Sequence, residues 1–481
     1  MKRIVVALST VAVIASLTGC EVGPNYKRPI ANTPGAFRGA LAPDIAAAST
    51  QTPLGAEKWN AVFTDPVLQS LIAEALKNNY DVKIAADRVL EQQAQVGVTR
   101  AGQFPTVSGG GTYDAIGLPS GLLSSLNNNN SSSSSTSSTS SNIHTGGLTL
   151  SAAWNLDFWG LYRRQTEAAR ANLLATDWAR QTTFSTLVEN VATSYYQLRT
   201  LDAELAITKD TLSARRQSLE LTKKLETGGD DTLSDVRQSE QLYYAAQAQI
   251  PDLERQIEQQ ENGLSILLGR NPGPIARGGS TADAPHPVEV PVGLPSALLE
   301  RRPDVRRAEQ LLVEANANIG VAKAQLFPQL SLSATGGTSS SQLKGLVESK
   351  NLYYYAVGTA SQQIFDGGKL RNNLRLAKAN DQELIDTYRQ TIQGALRDVS
   401  NALIAYNKTR EFRTHQEEVV ASATDAVRLA RLDYQAGSTS YLEVLTNDAN
   451  LYSAQLTLQT AEQQEALSLV QLYDALGGGW S

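Results

Sequence analysis

The chain has 481 residues and an acidic balance, with 48 Asp and Glu against 42 Lys and Arg residues. The resulting net charge of −6 disfavours a nucleic-acid-binding protein, because such proteins present a basic surface to phosphates. One cysteine and three scattered histidines (His144, His286 and His415), with no GxxxxGK[ST], GxSxG or HExxH motif, predict that the chain is not an enzyme and holds no metal or cofactor.

The amino terminus has the pattern of an export signal. Lys2 and Arg3 precede an apolar run, residues 4–17, that is too short to span a membrane as a mature helix. The letters LTGC, 17–20, resemble the lipobox of bacterial lipoproteins, in which residues 1–19 are removed and Cys20 receives a diacylglyceryl group and an N-acyl chain such as palmitate. Several acyl chains give a stable anchor. Glu21, where inner-membrane lipoproteins often have Asp, points to the outer membrane. The alternative is a buried free thiol.

The rest of the chain contains two copies of one plan. Asp81-Val82 and Phe104-Pro105 recur 223 positions later, whereas from Gly160 to Gly269 the shift is 208. The first copy therefore has 15 extra residues, and the tract NNNNSSSSSTSSTSSN, 127–142, accounts for them. A polar low-complexity tract cannot bury a core, so it predicts a long loop.

On both sides of that loop, apolar residues alternate with uncharged small or polar residues, and this alternation predicts membrane β-strands. Leu148, Leu150, Ala152, Trp154 and Leu156 alternate with small or polar residues. Leu330, Leu332 and Ala334 do the same in the second copy. This pattern is typical of a strand with one face toward lipid and one toward a wet lumen. The segment 351–366 contains Tyr353 and Tyr355, whose parity disagrees with the repeat, so its facing is left open. A half-buried strand of a soluble sheet is the alternative.

Long helices follow each strand pair. Residues 161–227 contain no Gly and no Pro, and apolar residues recur every seven positions from Phe184 to Leu219. The second copy keeps this register apart from Arg413 and, in its later helix, Glu465. A seven-residue repeat predicts supercoiled helices, and one of this length would reach about 100 Å. Gly228, Gly229 and Gly437 lie where these helices must turn back.

The sequence pattern of each copy thus predicts a short helix, two strands, a very long helix and a helix of medium length, in that order. Four strands cannot close a barrel, and open sheet edges are not tolerated in lipid. Closure therefore needs several chains, and three would give twelve strands.

The chain resembles the TolC-like outer-membrane lipoprotein channels of tripartite efflux pumps, in particular the OprM/NodT branch. The motifs that carry the resemblance are CEVGPNYKRP (20–29), RRPDVRRAEQLLVEANANIGVAKAQLFPQLSL (301–332), IFDGG (364–368) and YQAGSTSYLEVL (434–445). The resemblance implies an α+β membrane protein: a homotrimer with a 12-stranded outer-membrane barrel, continued by a long α-helical coiled-coil barrel into the periplasm. The implied partners are an inner-membrane resistance-nodulation-division (RND) transporter and a periplasmic adaptor.

On this basis the chain divides into the following expected parts. Residues 1–19 are the signal peptide, 20–60 the lipidated segment around the equatorial region, 61–270 the first repeat with its hairpin 104–157, 271–295 a linker, 296–477 the second repeat with its hairpin 327–366, and 478–481 the tail.

The resemblance also places a pore constriction after Gly437. Glu443 occupies a position often held by Asp, and three copies would form a ring of like charge that selects cations. Thr446 replaces a frequent second Asp, and Thr439 replaces a gate Arg found in some members. The alternative for Glu443 is a solvated acid at a helix end. The glycine turns at Gly228, Gly229 and Gly437 would face the adaptor.

The expected function is an exit duct for small molecules such as drugs. The alternatives are an exit duct for protein secretion, a channel for metal ions, which the scarcity of Met and His disfavours, and a lipid-anchored coiled-coil scaffold with no pore.

Overall fold

A computed structural model describes residues 21–31, 33–40, 52–118, 141–278 and 290–480. The predicted signal peptide, Cys20 and most of the Asn/Ser tract lie outside these residues. Within the described ranges, no helix combines the length and the apolar character that crossing a membrane requires.

The helices and strands follow the predicted two-copy order. Helix α1 (Trp59–Val62) lies at the boundary of the first copy, which begins with α2 (Pro66–Asn78). The first copy continues with α3 (Tyr80–Ala101), β1 (Thr106–Leu118), β2 (Ser141–Leu156), α4 (Leu161–Gly228) and α5 (Leu233–Leu267). The second copy begins with α6 (Pro295–Arg301) and repeats the order with α7 (Pro303–Ala324), β3 (Gln329–Ser340), β4 (Leu352–Ser361), α8 (Lys369–Gln435) and α9 (Tyr441–Ala475).

The long helices have the predicted extent. Helix α4 has 68 residues and α8 has 67, while α5 and α9 have 35 each. In α4 the heptad residues Val191 and Leu198 are fully buried, and in α8 the same is true of Val399. Neighbours of this seam, such as Val188 and Tyr195, are buried as well, so side-chain packing along the helices supplies most of their stability.

The four strands form one antiparallel sheet in the order β1-β2-β3-β4. Strands β1 and β4 are therefore its two edges. Two compact units result: the strand unit, drawn from residues 1–27, 92–173 and 311–384, and the helix unit, drawn from 28–91, 174–310 and 385–481. Each unit contains parts of both sequence repeats.

Candidate functional site: a two-faced sheet and paired helix turns

The sheet has one apolar face and one polar face. Residues directly opposite each other in an antiparallel ladder point to the same side, so the register extends the alternation of β2 to all four strands. The apolar face consists mainly of Val107, Tyr113, Leu148, Leu150, Ala152, Trp154, Leu332, Ala334, Leu352, Tyr354 and Ala356, with intervening glycines. Leu148 and Leu150 are 51% and 62% exposed, which suits side chains that meet lipid.

The polar face carries hydroxyl and amide side chains. Its members include Thr112, Asp114, Thr149, Ser151, Asn155, Ser331, Ser333, Thr335, Thr359 and Ser361. Asp114 is the one charged residue on this face among the described strand residues. Such a surface can line water without selecting strongly for charge.

The pairing register shows which residues of β4 lie on the apolar face of the sheet and which lie on the polar face. Tyr354 lies opposite Gly336 and shares the apolar face with Leu150, whereas Tyr353 and Tyr355 lie on the polar face. The rings of Tyr353 and Tyr355 are nearly parallel, with centroids 6.4 Å apart. The backbone parity of β4 therefore agrees with the sequence repeat, and these two tyrosines belong to the polar side.

Aromatic residues bound the apolar band. Tyr113 lies opposite Gly146, and Trp154 lies eight residues further along β2, which is about 26 Å on an extended strand. The Trp154 indole N–H donates to the Gln103 carbonyl oxygen at 3.0 Å, and the Tyr113 hydroxyl contacts His144 Nδ1 at 3.2 Å. Aromatic residues at both limits of an apolar band are typical of the two membrane interfaces.

The segment that follows Cys20 is docked at the end of β2. The Val22 N–H donates to the Trp159 carbonyl oxygen at 3.1 Å, and the carboxylate of Glu21 lies 3.2 Å from Nε of the buried Arg164. Asn25 accepts from Arg164 at 3.0 Å. Two glycines permit this approach, since a Cβ on Gly160 would lie 2.8 Å from the Glu21 side chain and one on Gly23 only 2.7 Å from Gly320. The residue next to Cys20 is thus held at the strand end.

In the helix unit, the predicted glycine turns end the long helices. Gly229 and Gly437 have φ values of +84° and +72°, in the left-handed region that favours glycine. The Asp230 N–H reaches back to the Leu225 carbonyl, and the Ser438 N–H to the Asp433 carbonyl, both at 2.9 Å. These are Schellman-type ends. Gly228 is the last residue of α4 and stays helical.

The three pore candidates lie at the start of α9. Glu443 is exposed in its first turn, and its carboxylate accepts a hydrogen bond from Asn447 Nδ2 at 3.3 Å. The exposed Thr446 donates to the Leu442 carbonyl at 2.8 Å, so its hydroxyl is engaged by its own helix. Thr439 is half-buried in the turn before the helix. Of these three pore candidates, Glu443 is the one with a charged side chain.

A buried arginine that the sequence reasoning missed joins three helices. Arg215 of α4 contacts Asp448 of α9 at 2.9 Å and donates to the Leu242 carbonyl of α5 at 3.1 Å. Its guanidinium also lies 5.0 Å from the ring of Tyr452. Since Asp448 is 233 positions away from Arg215, no periodic signal relates the two.

The two turns are also joined to each other. The Tyr434 hydroxyl donates to Asp231 at 3.1 Å, and burial, followed by this bond, raises the pKa of Tyr434 to about 12. Tyr434 packs against a small core of Ala430, Tyr441, Val444 and Leu445. The start of α9 is therefore fixed by apolar packing as well as by polar contacts.

A cluster of acids surrounds Arg302 elsewhere in the helix unit. Arg302 contacts Asp304 at 2.7 Å and Asp398 at 3.5 Å. Burial raises the pKa of Asp474 to about 6, with Asp304 and Asp398 adding to the effect and Arg302 opposing it. Burial and the nearby Asp474 raise the pKa of Glu189 to about 7. Both carboxyls therefore titrate close to neutral pH.

The chain matches known proteins over nearly its whole length. The family model described as outer membrane efflux protein matches residues 71–270 and 294–478. The cation efflux system protein CusC of Escherichia coli O6:H1 is 33% identical over 469 residues, which is 97% of each chain. The solvent efflux pump outer membrane protein SrpC of Pseudomonas putida is 35% identical over 466 residues, 97% of this chain and 96% of that one.

A solved structure agrees with this match. The open state of the Neisseria gonorrhoeae MtrE outer membrane channel superposes with a TM-score of 0.84 at 27% identity, covering 96% of this chain and 99% of that chain.

Proposed function

The chain belongs to the outer membrane efflux protein family and is the trimeric outer-membrane exit duct of a tripartite efflux system, and from that premise we propose that its cargo consists of small organic molecules. The family assignment also confirms the predicted fold class, and with it the expectation that the chain is not an enzyme. A scaffold with no pore disagrees with that assignment.

The polar face of the sheet is the observation that carries the cargo proposal. Its uncharged Thr, Ser and Asn side chains would line the lumen and leave passage open to neutral and charged organic compounds alike. Soft metal ions bind best to thiolate and thioether groups. The chain has one Cys and one Met, both within the first 20 residues, and no group of three or more His, Cys, Asp or Glu suited to a metal occurs among the described residues.

The relatives have different cargoes, as their names state. CusC is a cation efflux protein and SrpC a solvent efflux protein, and their identities to this chain, 33% and 35%, are too similar to decide between them. The scarcity of soft ligands favours the solvent-like class for this chain.

Deletion of the gene in the native host, with the neighbouring transporter intact, tests this proposal. We expect organic dyes and antibiotics to accumulate in the deletion strain, with tolerance to copper and silver unchanged. Sensitivity to metal ions alone would overturn the cargo proposal and leave the duct intact. Loss of a secreted protein, with normal drug accumulation, would favour the protein-secretion alternative.

We further propose that Cys20 carries the lipid anchor. The docking of Glu21 and Val22 at the end of β2 supports it, because acyl chains on the preceding residue would then lie beside the sheet. Radiolabelled palmitate should enter the wild-type protein and be absent from Cys20→Ala. Equal labelling of both would overturn this anchor.

The partners of the duct complete the proposal. Family membership implies a tripartite assembly, and we assign to this chain an RND-type inner-membrane transporter and a periplasmic adaptor that contacts the turns at Gly229 and Gly437.

A further inference from the structure

The two hairpins of the sheet obey the sequence repeat residue by residue. Thr106 of β1 lies opposite Ala153 of β2. Shifting the first residue by 223 and the second by 208 gives Gln329 and Ser361, which are an observed pair of β3 and β4. The internal symmetry therefore fixes strand register as well as strand order.

The pairing of β2 with β3 within one chain is a template for the pairing of the two edge strands. In the sequence repeat, β2 corresponds to β4 (208 residues later) and β3 corresponds to β1 (223 residues earlier). Within one chain β1 and β4 are opposite edges of the sheet, about 14 Å apart, so this pairing requires a second copy. We propose that β4 of one copy pairs with β1 of the next, antiparallel, with Thr359 directly opposite Thr112. The proposal rests on the trimeric duct and names the residues that close it.

The faces agree in this register. Tyr354, Ala356 and Gly358 of β4 fall opposite Gly117, Ala115 and Tyr113 of β1, and all six belong to the apolar face. A shift by one residue would place the apolar residues of one copy beside the polar residues of the next. The band that meets lipid therefore continues across the seam.

Side-chain chemistry supports the same pairing. In the template, the Ser151 hydroxyl contacts the Thr335 hydroxyl at 3.3 Å on the polar face. The two shifts convert these residues into Thr359 and Thr112, which are also hydroxyl residues. Both are exposed in the single chain. A hydroxyl pair on the lumen side is thus available at the seam, as it is within the chain.

Exposed apolar side chains mark the same two edges. In the template, the rings of Trp159 and Phe327 stack with centroids 4.7 Å apart. The equivalent positions are Gly367 and Phe104, so the tryptophan has no counterpart. Instead Phe104 is 54% exposed beside β1, and Ile364 and Phe365 are 96% and 85% exposed beyond β4. A neighbouring copy would cover all three.

Cysteine cross-linking tests the register. Cys20 is the only natural cysteine, so the wild-type chain gives a clean baseline. The double variant Thr112→Cys/Thr359→Cys, oxidised in membranes with copper phenanthroline, should run as covalent trimers on a non-reducing denaturing gel. Asp114→Cys/Val357→Cys, in the same register, is a second variant in case the first does not fold.

Matched variants separate register from assembly. Ser151→Cys/Thr335→Cys, the template pair, should form its disulfide within one chain and run as a monomer. Thr112→Cys/Ser361→Cys and Thr112→Cys/Val357→Cys keep the face and move the pair by two residues, which exceeds the reach of a disulfide. They should lose the trimer band.

The outcomes are distinguishable by native mass spectrometry of the same samples. Trimers that cross-link best through an off-register pair would overturn the proposed seam and leave the duct standing. A chain that remains monomeric throughout would overturn both.

Discussion

Arg413 of α8 and Glu465 of α9 form an ion pair in which the Glu465 side chain is completely buried. These are the two residues that interrupt the seven-residue apolar repeat of the second copy. The two interruptions are therefore one contact, formed where the two helices pack together. Arg413 also pairs with Glu417 on its own helix. A buried polar layer of this kind fixes the register of two helices that apolar residues alone would let slide.

Removing one partner of this pair should cost more than removing both. Arg413→Leu leaves a buried carboxylate without its guanidinium and should destabilise the helix unit by about 3–5 kcal/mol. The double variant Arg413→Leu/Glu465→Leu completes the apolar repeat and should recover most of that loss. Thermal unfolding followed by circular dichroism measures both. If the double variant is as unstable as the single one, the pair is not the register-fixing contact inferred here.

Gly337 of β3 is predicted to resist substitution because the backbone of the neighbouring strand β2 lies too close to admit a side chain. A Cβ at this position would lie 2.3 Å from the Leu148 carbonyl oxygen, whereas the nearest atom to one on Gly336 is 3.7 Å away. Gly337→Ala should cost about 1–3 kcal/mol and reduce the yield of assembled trimer in native mass spectrometry. Gly336→Ala is the matched control and should behave as wild type. Equal behaviour of the two variants would show that the close approach of β2 at Gly337 does not limit the side chain there.

Much of this fold was predictable, and the rest depends on long-range partners. The uninterrupted run 161–227 predicted α4 to within one residue, since helix breakers are local signals. The facing of β4 was not predictable, because Tyr353 and Tyr355 look like a lipid face until the register is known. Arg215 and Asp448 gave no signal at all. Their contact exists only because two distant helices lie side by side.

Glu443 is predicted to set cation preference at the start of α9. The side chain is exposed and charged, and symmetry would bring three copies together in the trimer. Glu443→Gln should reduce the cation selectivity of single channels in planar bilayers while leaving helix content unchanged. Glu418→Gln, whose parent side chain is 72% exposed in the last third of α8, is the control. Unchanged reversal potentials in Glu443→Gln would remove this residue from the pore.

Glu189 should make the stability of the helix unit fall as pH rises toward neutrality. Its pKa is raised from 4.5 to about 7 by burial and by Asp474, so the fold favours the protonated carboxyl. The stabilisation from that proton is complete below about pH 4.5 and is lost as pH rises through 7. Glu189→Gln stays neutral at every pH. The melting temperature of the variant should therefore exceed that of wild type at pH 8 and approach it at pH 5.

Comparing Glu189→Gln with wild type isolates the effect of the Glu189 carboxyl, because the other acids, including Asp474, Asp304 and Asp398, are present in both proteins. A difference in melting temperature that is the same at both pH values would contradict the assignment.

The turns at Gly229 and Gly437 are predicted to contact the periplasmic adaptor. Asp230 and Ser438 follow these glycines and are exposed, and the Tyr434–Asp231 bond holds the two turns together as one surface. Asp230→Cys and Ser438→Cys, each carrying a thiol-specific photo-crosslinker, should form adducts with the adaptor in assembled pumps. Glu258→Cys, exposed within α5 and 28 residues from Asp230, serves as the control and should form none. Adducts at Glu258 but not at the turns would place the adaptor along the helices, because a partner that docks end-on cannot reach that position.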